Sequence, residues 1–190
     1  VHRGHVSILA EVLDRTGAGQ GLLVPAALPP LRPPPEAPAG IRLEMVRAAA
    51  AVDPRFRVSD LELRRGGPSY TVDTLTELRT AAPGVVHALL LGADAARTVV
   101  RWYRCDRLLA ENSFVVVNRS GEAPPTAQEM RRLGFPPGCT EVVQVDSPPV
   151  SATEVRRRVA AGETVAGLVP PEVAAIMARE GLYRNQTAHA

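Results

Sequence analysis

Val86-His87-Ala88-Leu89-Leu90-Leu91 reads as a continuous apolar strand, and Phe114-Val115-Val116-Val117 as a second, with a helical stretch reaching to about residue 110 between them. Strands that are apolar throughout, separated by helices, are covered on both faces, and that is the mark of a mostly parallel sheet. Toward the N-terminus, Val6, Leu9, Ala10 and Leu13 recur at helical spacing, residues 14–21 punctuate, and Leu22-Leu23-Val24 is a short buried strand stopped by Pro25. Residues 41–52 form an alanine-rich helix, residues 56–63 alternate like an edge strand, and residues 71–82 form an amphipathic helix. Toward the C-terminus come a helix over residues 126–133, a strand over residues 141–145, and closing helices over residues 153–161 and 171–179. The fold class this predicts is α/β, a doubly wound, mostly parallel sheet with helices on both faces. A chain of 190 residues fits one domain over residues 1–190, with residues 151–184 as its C-terminal helical part.

Two proline-rich stretches break the rhythm, residues 25–38 with seven prolines and Ser147-Pro148-Pro149. Proline lacks the amide that a helix or sheet needs, so both are loops. In open parallel sheets ligands bind beyond the carboxyl ends of the strands, which directs attention to the loops after Val24, Leu91, Val117 and Val145.

Composition narrows the chemistry. The 22 basic residues are all arginine and are balanced by 20 acidic ones, scattered without a basic stripe, so nucleic acid is not an expected partner. Without lysine there is no Schiff-base mechanism and no Walker-type phosphate loop, leaving Arg, His and backbone amides to hold phosphate. Cys105 and Cys139 stand apart with no histidine at metal spacing, so no zinc site or disulfide framework is expected and a reducing cytoplasm fits. No apolar run approaches the roughly 18 residues of a membrane span.

Two segments carry the candidate chemistry. His2 and His5 flank Gly4 at the start of a predicted helix, where free amides and the helix dipole favour an anion. Two imidazoles there make a polyphosphate site, and Gly4 allows close approach to the backbone; two exposed terminal histidines are the plainer alternative. Far down the chain, Ser151 and Glu154 have the spacing of a capping box, which would account for both without a ligand. Arg156, one turn further on, is not explained by capping and is placed to meet a phosphate.

With these residues the chain resembles the bacterial nicotinate-nucleotide adenylyltransferases, in the superfamily of Rossmann-like nucleotidyltransferases with a His-x-Gly-His signature. His2 to His5 matches that signature, and Ser151-Ala152-Thr153-Glu154-Val155-Arg156 resembles the second, Ser-x-Thr-x-x-Arg motif. Pro68-Ser69-Tyr70-Thr71, Leu91-Gly92-Ala93-Asp94, Trp102-Tyr103 and Gly181-Leu182-Tyr183-Arg184 follow the family in order. The first strand and the Gly-Gly-Thr/Ser-Phe-Asp-Pro turn that precede the signature are not in this sequence, which opens at Val1. Pro29-Pro30-Leu31-Arg32 carries leucine where the family usually has histidine.

The resemblance implies adenylyl transfer from ATP to nicotinate mononucleotide, giving deamido-NAD and pyrophosphate. It implies ATP contacts from His2, Gly4, His5, Gly92, Asp94, Ser151, Thr153 and Arg156, with His2, His5 and Arg156 catalytic. Arg32, Thr71, Trp102 and Tyr103 would bind nicotinate mononucleotide, the tryptophan face stacking on a pyridinium ring. Mg²⁺ would be held by the phosphates and not by protein side chains. The expected partners are the two small-molecule substrates, with no nucleic acid, no membrane and a homo-oligomer left open. Two alternatives stand beside this reading: a related enzyme such as pantetheine-phosphate adenylyltransferase, and a truncated or non-catalytic nucleotide-binding remnant. Taken as ordinary structure, Trp102 would be a core residue, Asp94 a helix cap, and Tyr70 and Thr74 packing and capping residues.

Overall fold

The computed structural model describes residues 1–118 and 121–184, which fall into two compact units. The first comprises residues 1–27, 33–65 and 147 onward; the second comprises residues 28–32 and 66–146.

In the first unit, helix α1 (Arg3–Thr16) leads to strand β1 (Gly21–Leu23), and α2 (Ala39–Ala50) leads to β2 (Phe56–Val58). The strands pair in parallel, Gly21 opposite Phe56 and Leu23 opposite Val58. Gly21 is required by packing, because a Cβ there would lie 2.7 Å from the Leu9 side chain of α1. The unit closes with α8 (Ala152–Ala160) and α9 (Pro171–Arg179), the latter opened by Pro171, whose missing amide costs nothing at a first helical position. Met45, Ala49, Val155, Val173 and Met177 form its core.

The second unit holds α4 (Thr71–Ala81), β3 (Ala88–Gly92), α5 (Ala93–Arg97), α6 (Cys105–Glu111), β4 (Ser113–Val117), α7 (Ala127–Arg132) and β5 (Thr140–Val143). Its strands run in parallel in the order β3-β4-β5. Phe114 through Val117 are all buried, as expected of a strand covered on both faces. The Phe114 and Phe135 rings meet edge-to-face at 5.0 Å within a core that includes Leu108, Val72 and Val99. Beyond the last ladder pair, the Asn118 side chain takes over the role of a strand: its Oδ1 accepts from the Val145 amide at 2.6 Å and its Nδ2 donates to the Val145 carbonyl at 3.1 Å.

All pairing between the named strands is parallel, and the α/β class expected from the sequence is what the structure has. One element differs. Residues 56–63 are not a long edge strand: β2 stops at Val58, and a short helix, α3 (Leu61–Arg65), follows. Leu61 and Glu62 are adjacent and both buried, which no alternating strand permits. The Arg64 amide donates to the Asp60 carbonyl at 2.9 Å, and the Arg64 side chain pairs with the Asp60 carboxylate, so residues 59–60 begin a helix where the alternation suggested a continuing strand. The helical stretch before β4 is likewise broken into α5, a 3-10 turn at Val99–Arg101, and α6. Among the described residues no helix is long and apolar enough to cross a membrane.

Candidate functional site

His2 is the N-cap of α1, with extended backbone, and its ring is buried to 9% exposure. The His5 ring, on the exposed side of the first turn, lies 3.8 Å from it, centroid to centroid, tilted by 33°. The His2 amide donates to His5 Nδ1 over a long 3.4 Å, and the His5 amide donates to the His2 carbonyl at 3.0 Å. A neutral His5 whose Nδ1 accepts carries its proton on Nε2, so it offers a donor at the ring's far edge. His2 Nδ1 is buried and without a hydrogen-bond partner in the structure. Burial above all pushes the His2 imidazole down to about 4, so this ring is neutral at pH 7.

The structure gives Gly4 a different reason from close approach by a ligand. A Cβ at Gly4 would lie 3.1 Å from Cε1 and Nδ1 of the His2 ring and 3.6 Å from the Pro148 carbonyl. The glycine makes room for His2 itself and for the loop before α8. That contact brings the Pro148 carbonyl to the first turn of α1, and Val1, Val6, Val150 and Val155 pack in one core. The two sequence segments expected to act together, residues 2–5 and 151–156, therefore lie in one unit, their neighbours packed on the same core.

Ser151 caps α8, its Oγ accepting from the Glu154 amide at 3.1 Å. The Glu154 carboxylate accepts from Arg157 at 2.9 and 3.0 Å and from Arg158 at 2.7 Å, and these bonds, Arg157's first, hold it down to about 2. Thr153 is exposed in the first turn, and Arg156 is half-exposed with its Nε 3.7 Å from Glu36.

In the second unit, the Tyr70 and Tyr103 rings stack at 4.2 Å and 29°, and the Arg104 guanidinium lies 5.0 Å from the Tyr103 centroid. Tyr103 is 44% exposed, whereas Trp102 is half-buried against the core, its amide donating to the Val99 carbonyl at 2.9 Å. Thr71, half-buried, opens α4 immediately after its N-cap Tyr70. Arg32 closes a turn, its amide donating to the Pro29 carbonyl at 3.4 Å, and the Ser69 amide donates to the Leu28 carbonyl at 2.8 Å. That bond joins the Arg32 turn to the Pro68-Ser69-Tyr70-Thr71 segment. Gly92 is the N-cap of α5, so Asp94 is not its cap; Asp94 lies 3.8 Å from Arg97 in an i,i+3 pair.

No motif in the sequence singles out Arg42 or Glu36, and Tyr183 stands there only within the closing Gly181-Leu182-Tyr183-Arg184 segment. Arg42 donates to the carbonyls of Ala26, Ala27 and Ala37, on both sides of the proline-rich loop. Proline supplies carbonyls but no amides, so a loop with seven prolines needs outside donors. The first basic residue after the loop was the available signal. Tyr183 packs on the core of the first unit, where burial raises its phenol and the charges of Arg156, Glu36 and Arg42 act on it.

Residues 1–158 match the cytidylyltransferase-like family. The chain is 40% identical to a probable nicotinate-nucleotide adenylyltransferase of Thermus thermophilus, covering 97% of this chain and 94% of that one. It is 36% identical to another from Acidithiobacillus ferrooxidans, at 97% and 91% coverage. Among solved structures it is similar to a Plasmodium falciparum nicotinic acid mononucleotide adenylyltransferase complexed with NaAD, with a TM-score of 0.79 at 15% identity, covering 96% of this chain and 91% of that one.

Proposed function

The chain belongs to the cytidylyltransferase-like family and, within it, to the nicotinate-nucleotide adenylyltransferases, and on that footing we propose that it transfers the adenylyl group of ATP to nicotinate mononucleotide. The products are deamido-NAD and pyrophosphate. An oxygen of the acceptor's phosphate attacks the α-phosphorus of ATP; the new P–O bond forms as the bond to the β-phosphate bridging oxygen breaks, and pyrophosphate leaves with those electrons. A phosphate is ionised at neutral pH, so no base has to remove a proton, and catalysis reduces to alignment and to stabilising charge on the transferred and leaving phosphates.

The observation that supports this reading most is the approach of Gly4, in the turn between His2 and His5, to the Pro148 carbonyl of the loop that leads into Ser151 and Arg156. His5, exposed and with Nε2 as donor, would contact the phosphates directly, with the first-turn amides of α1 beside it. His2, buried and neutral, would hold the His5 ring and the turn in place while donating from its remaining nitrogen. Ser151, Thr153 and Arg156 would bind the nucleotide's tail, and Gly92 and Asp94 the nucleoside. For the acceptor, Arg32 would meet its phosphate, while Thr71 and the Tyr103 amide would donate to the nicotinate carboxylate. Trp102 and Tyr103 offer ring faces to the pyridinium, each worth on the order of 0.5 to 2 kcal/mol.

The side chains proposed here for the phosphates offer imidazole, hydroxyl and guanidinium groups, which suit phosphate oxygens and not a hard cation. Among the described residues no group of three or more His, Cys, Asp or Glu is arranged to hold a metal. Mg²⁺ would therefore arrive on the phosphates of ATP, where it would neutralise their charge.

A panel of acceptors tests the reading. With Mg-ATP, kcat/KM should be highest for nicotinate mononucleotide, lower for nicotinamide mononucleotide, whose amide cannot accept as a carboxylate does, and negligible for pantetheine phosphate. A preference for pantetheine phosphate would replace this reading with the other adenylyltransferase.

A further inference from the structure

The returning arm of the proline-rich loop cannot secure itself. Pro33, Pro34, Pro35 and Pro38 have no amide to donate, so residues 33–38 are held from outside. Two anchors do this. The Ala37 side chain is buried to 3% exposure in the core of the first unit, and its carbonyl accepts from Arg42 Nε at 3.1 Å. The other nitrogens of Arg42 bond the Ala26 and Ala27 carbonyls, the latter at 3.3 Å, so one guanidinium ties both sides of the loop. Among the described residues, the partners of the Arg42 guanidinium are all carbonyls. Burial, opposed in part by Tyr183, lowers its pKa, as expected for a guanidinium held without a carboxylate.

Glu36 is the residue before Ala37, and its Oε1 lies 3.7 Å from Arg156 Nε. Among the described residues the Arg156 side chain has no other ion pair or hydrogen bond. Guanidinium geometry makes this informative: a carboxylate at Nε leaves the two terminal nitrogens pointing away from it, and that edge is one that can take a phosphate in bidentate fashion. Tyr183 packs against the same core, within reach of the charges of Arg156, Glu36 and Arg42.

We propose that Arg42 and Glu36 are positioning residues for Arg156: Arg42 fixes the arm, and Glu36 on that arm takes Arg156 Nε so that the terminal nitrogens face the nucleotide's phosphates. This rests on the reading that Arg156 binds ATP. Glu36 does not compete with the phosphates for Arg156; it turns the guanidinium toward them.

The test is a set of KM and kcat measurements for both substrates on the full chain. Glu36 is 66% exposed on its side chain, so Glu36→Gln will fold. It should raise the KM for ATP about three- to fivefold, the scale of one exposed ion pair, with kcat and the KM for the acceptor unchanged. Arg42→Lys should shift the same constant in the same direction and add nothing once Glu36→Gln is present. Neither substitution should matter in an Arg156→Ala chain. A fall in the ATP KM with Glu36→Gln would mean competition and overturn the proposal, as would equal rises in both KM values or an effect that survives Arg156→Ala. An Arg42→Lys chain that does not fold would overturn Arg42's part, the Glu36 and Arg156 pair deciding the rest. If Arg156→Ala alone leaves the ATP KM unchanged, the assignment of Arg156 to the nucleotide is what fails.

Discussion

The cluster in the first unit and the cluster in the second are built on opposite terms. Around His2 and Ser151 nearly every candidate group already has a structural occupation: His2 is a buried N-cap, Gly4 makes room for its ring, and Ser151 Oγ is engaged by the Glu154 amide. Around Tyr103 the reverse holds. Its ring, stacked on Tyr70 and 44% exposed, is a large apolar surface left open to water. In the first cluster a loss of activity on mutation is ambiguous between fold and chemistry unless stability is measured beside it; in the second the two separate on their own.

The sharpest way to break that contrast is His5, the one imidazole of the first cluster that is exposed. His5→Ala should leave the melting temperature nearly unchanged while turnover falls on the order of a hundredfold or more. If melting and turnover fall together, the first cluster is structural in that member too.

His2 should behave differently, through pH. Its folded pKa of about 4 lies below the ordinary 6.5, so the unfolded chain binds the extra proton between those values. The stability it confers is therefore complete above pH 6.5 and is lost as pH falls toward 4, by on the order of 3 kcal/mol. Urea unfolding followed over pH 4 to 7 should show this loss, and His2→Gln should flatten it.

On the other side of the comparison, Tyr103→Ala should raise the acceptor KM about tenfold with little change in melting, the scale of one lost stacking contact. Trp102→Ala should lower the melting temperature as well, because that ring is also part of the core. If the two variants prove equal in stability, the distinction drawn between the rings is wrong.

Ser151 gives the smallest effect. Removing the cap with Ser151→Ala should cost about 1 kcal/mol of stability, and Ser151→Gly only a few tenths. If the hydroxyl also meets ATP, both variants should weaken nucleotide binding alike despite their different stabilities. Recovery of ATP affinity in the glycine variant would leave Ser151 as a cap alone.

The sequence shows the backbone scaffold well because burial on two faces leaves a direct trace: Phe114 to Val117 are apolar and all buried. It misleads at residues 56–63, where Arg57 and Val58 alternate convincingly but Leu61 and Glu62 are buried side by side in a helix. Side chains that substitute for backbone are invisible to any periodicity, as Asn118 shows in extending β4 toward Val145. For the candidate site, the motif residues stand out through the family resemblance, but Arg42 and Glu36 do not, since Arg42's partners include backbone carbonyls 15 and 16 residues away and Glu36's is Arg156. At Gly4 the sequence suggests room for a ligand, and it carries no sign that a Cβ there would first meet the ring of His2, two residues before it.

The measurement that bears most directly on the whole account is product formation by the protein and its His5→Ala variant, mixed with Mg-ATP and nicotinate mononucleotide. The account predicts deamido-NAD and pyrophosphate in equal amounts from the parent, and a variant that folds normally yet forms both on the order of a hundredfold more slowly. ATP consumption without deamido-NAD, or a variant as fast as its parent, would contradict it.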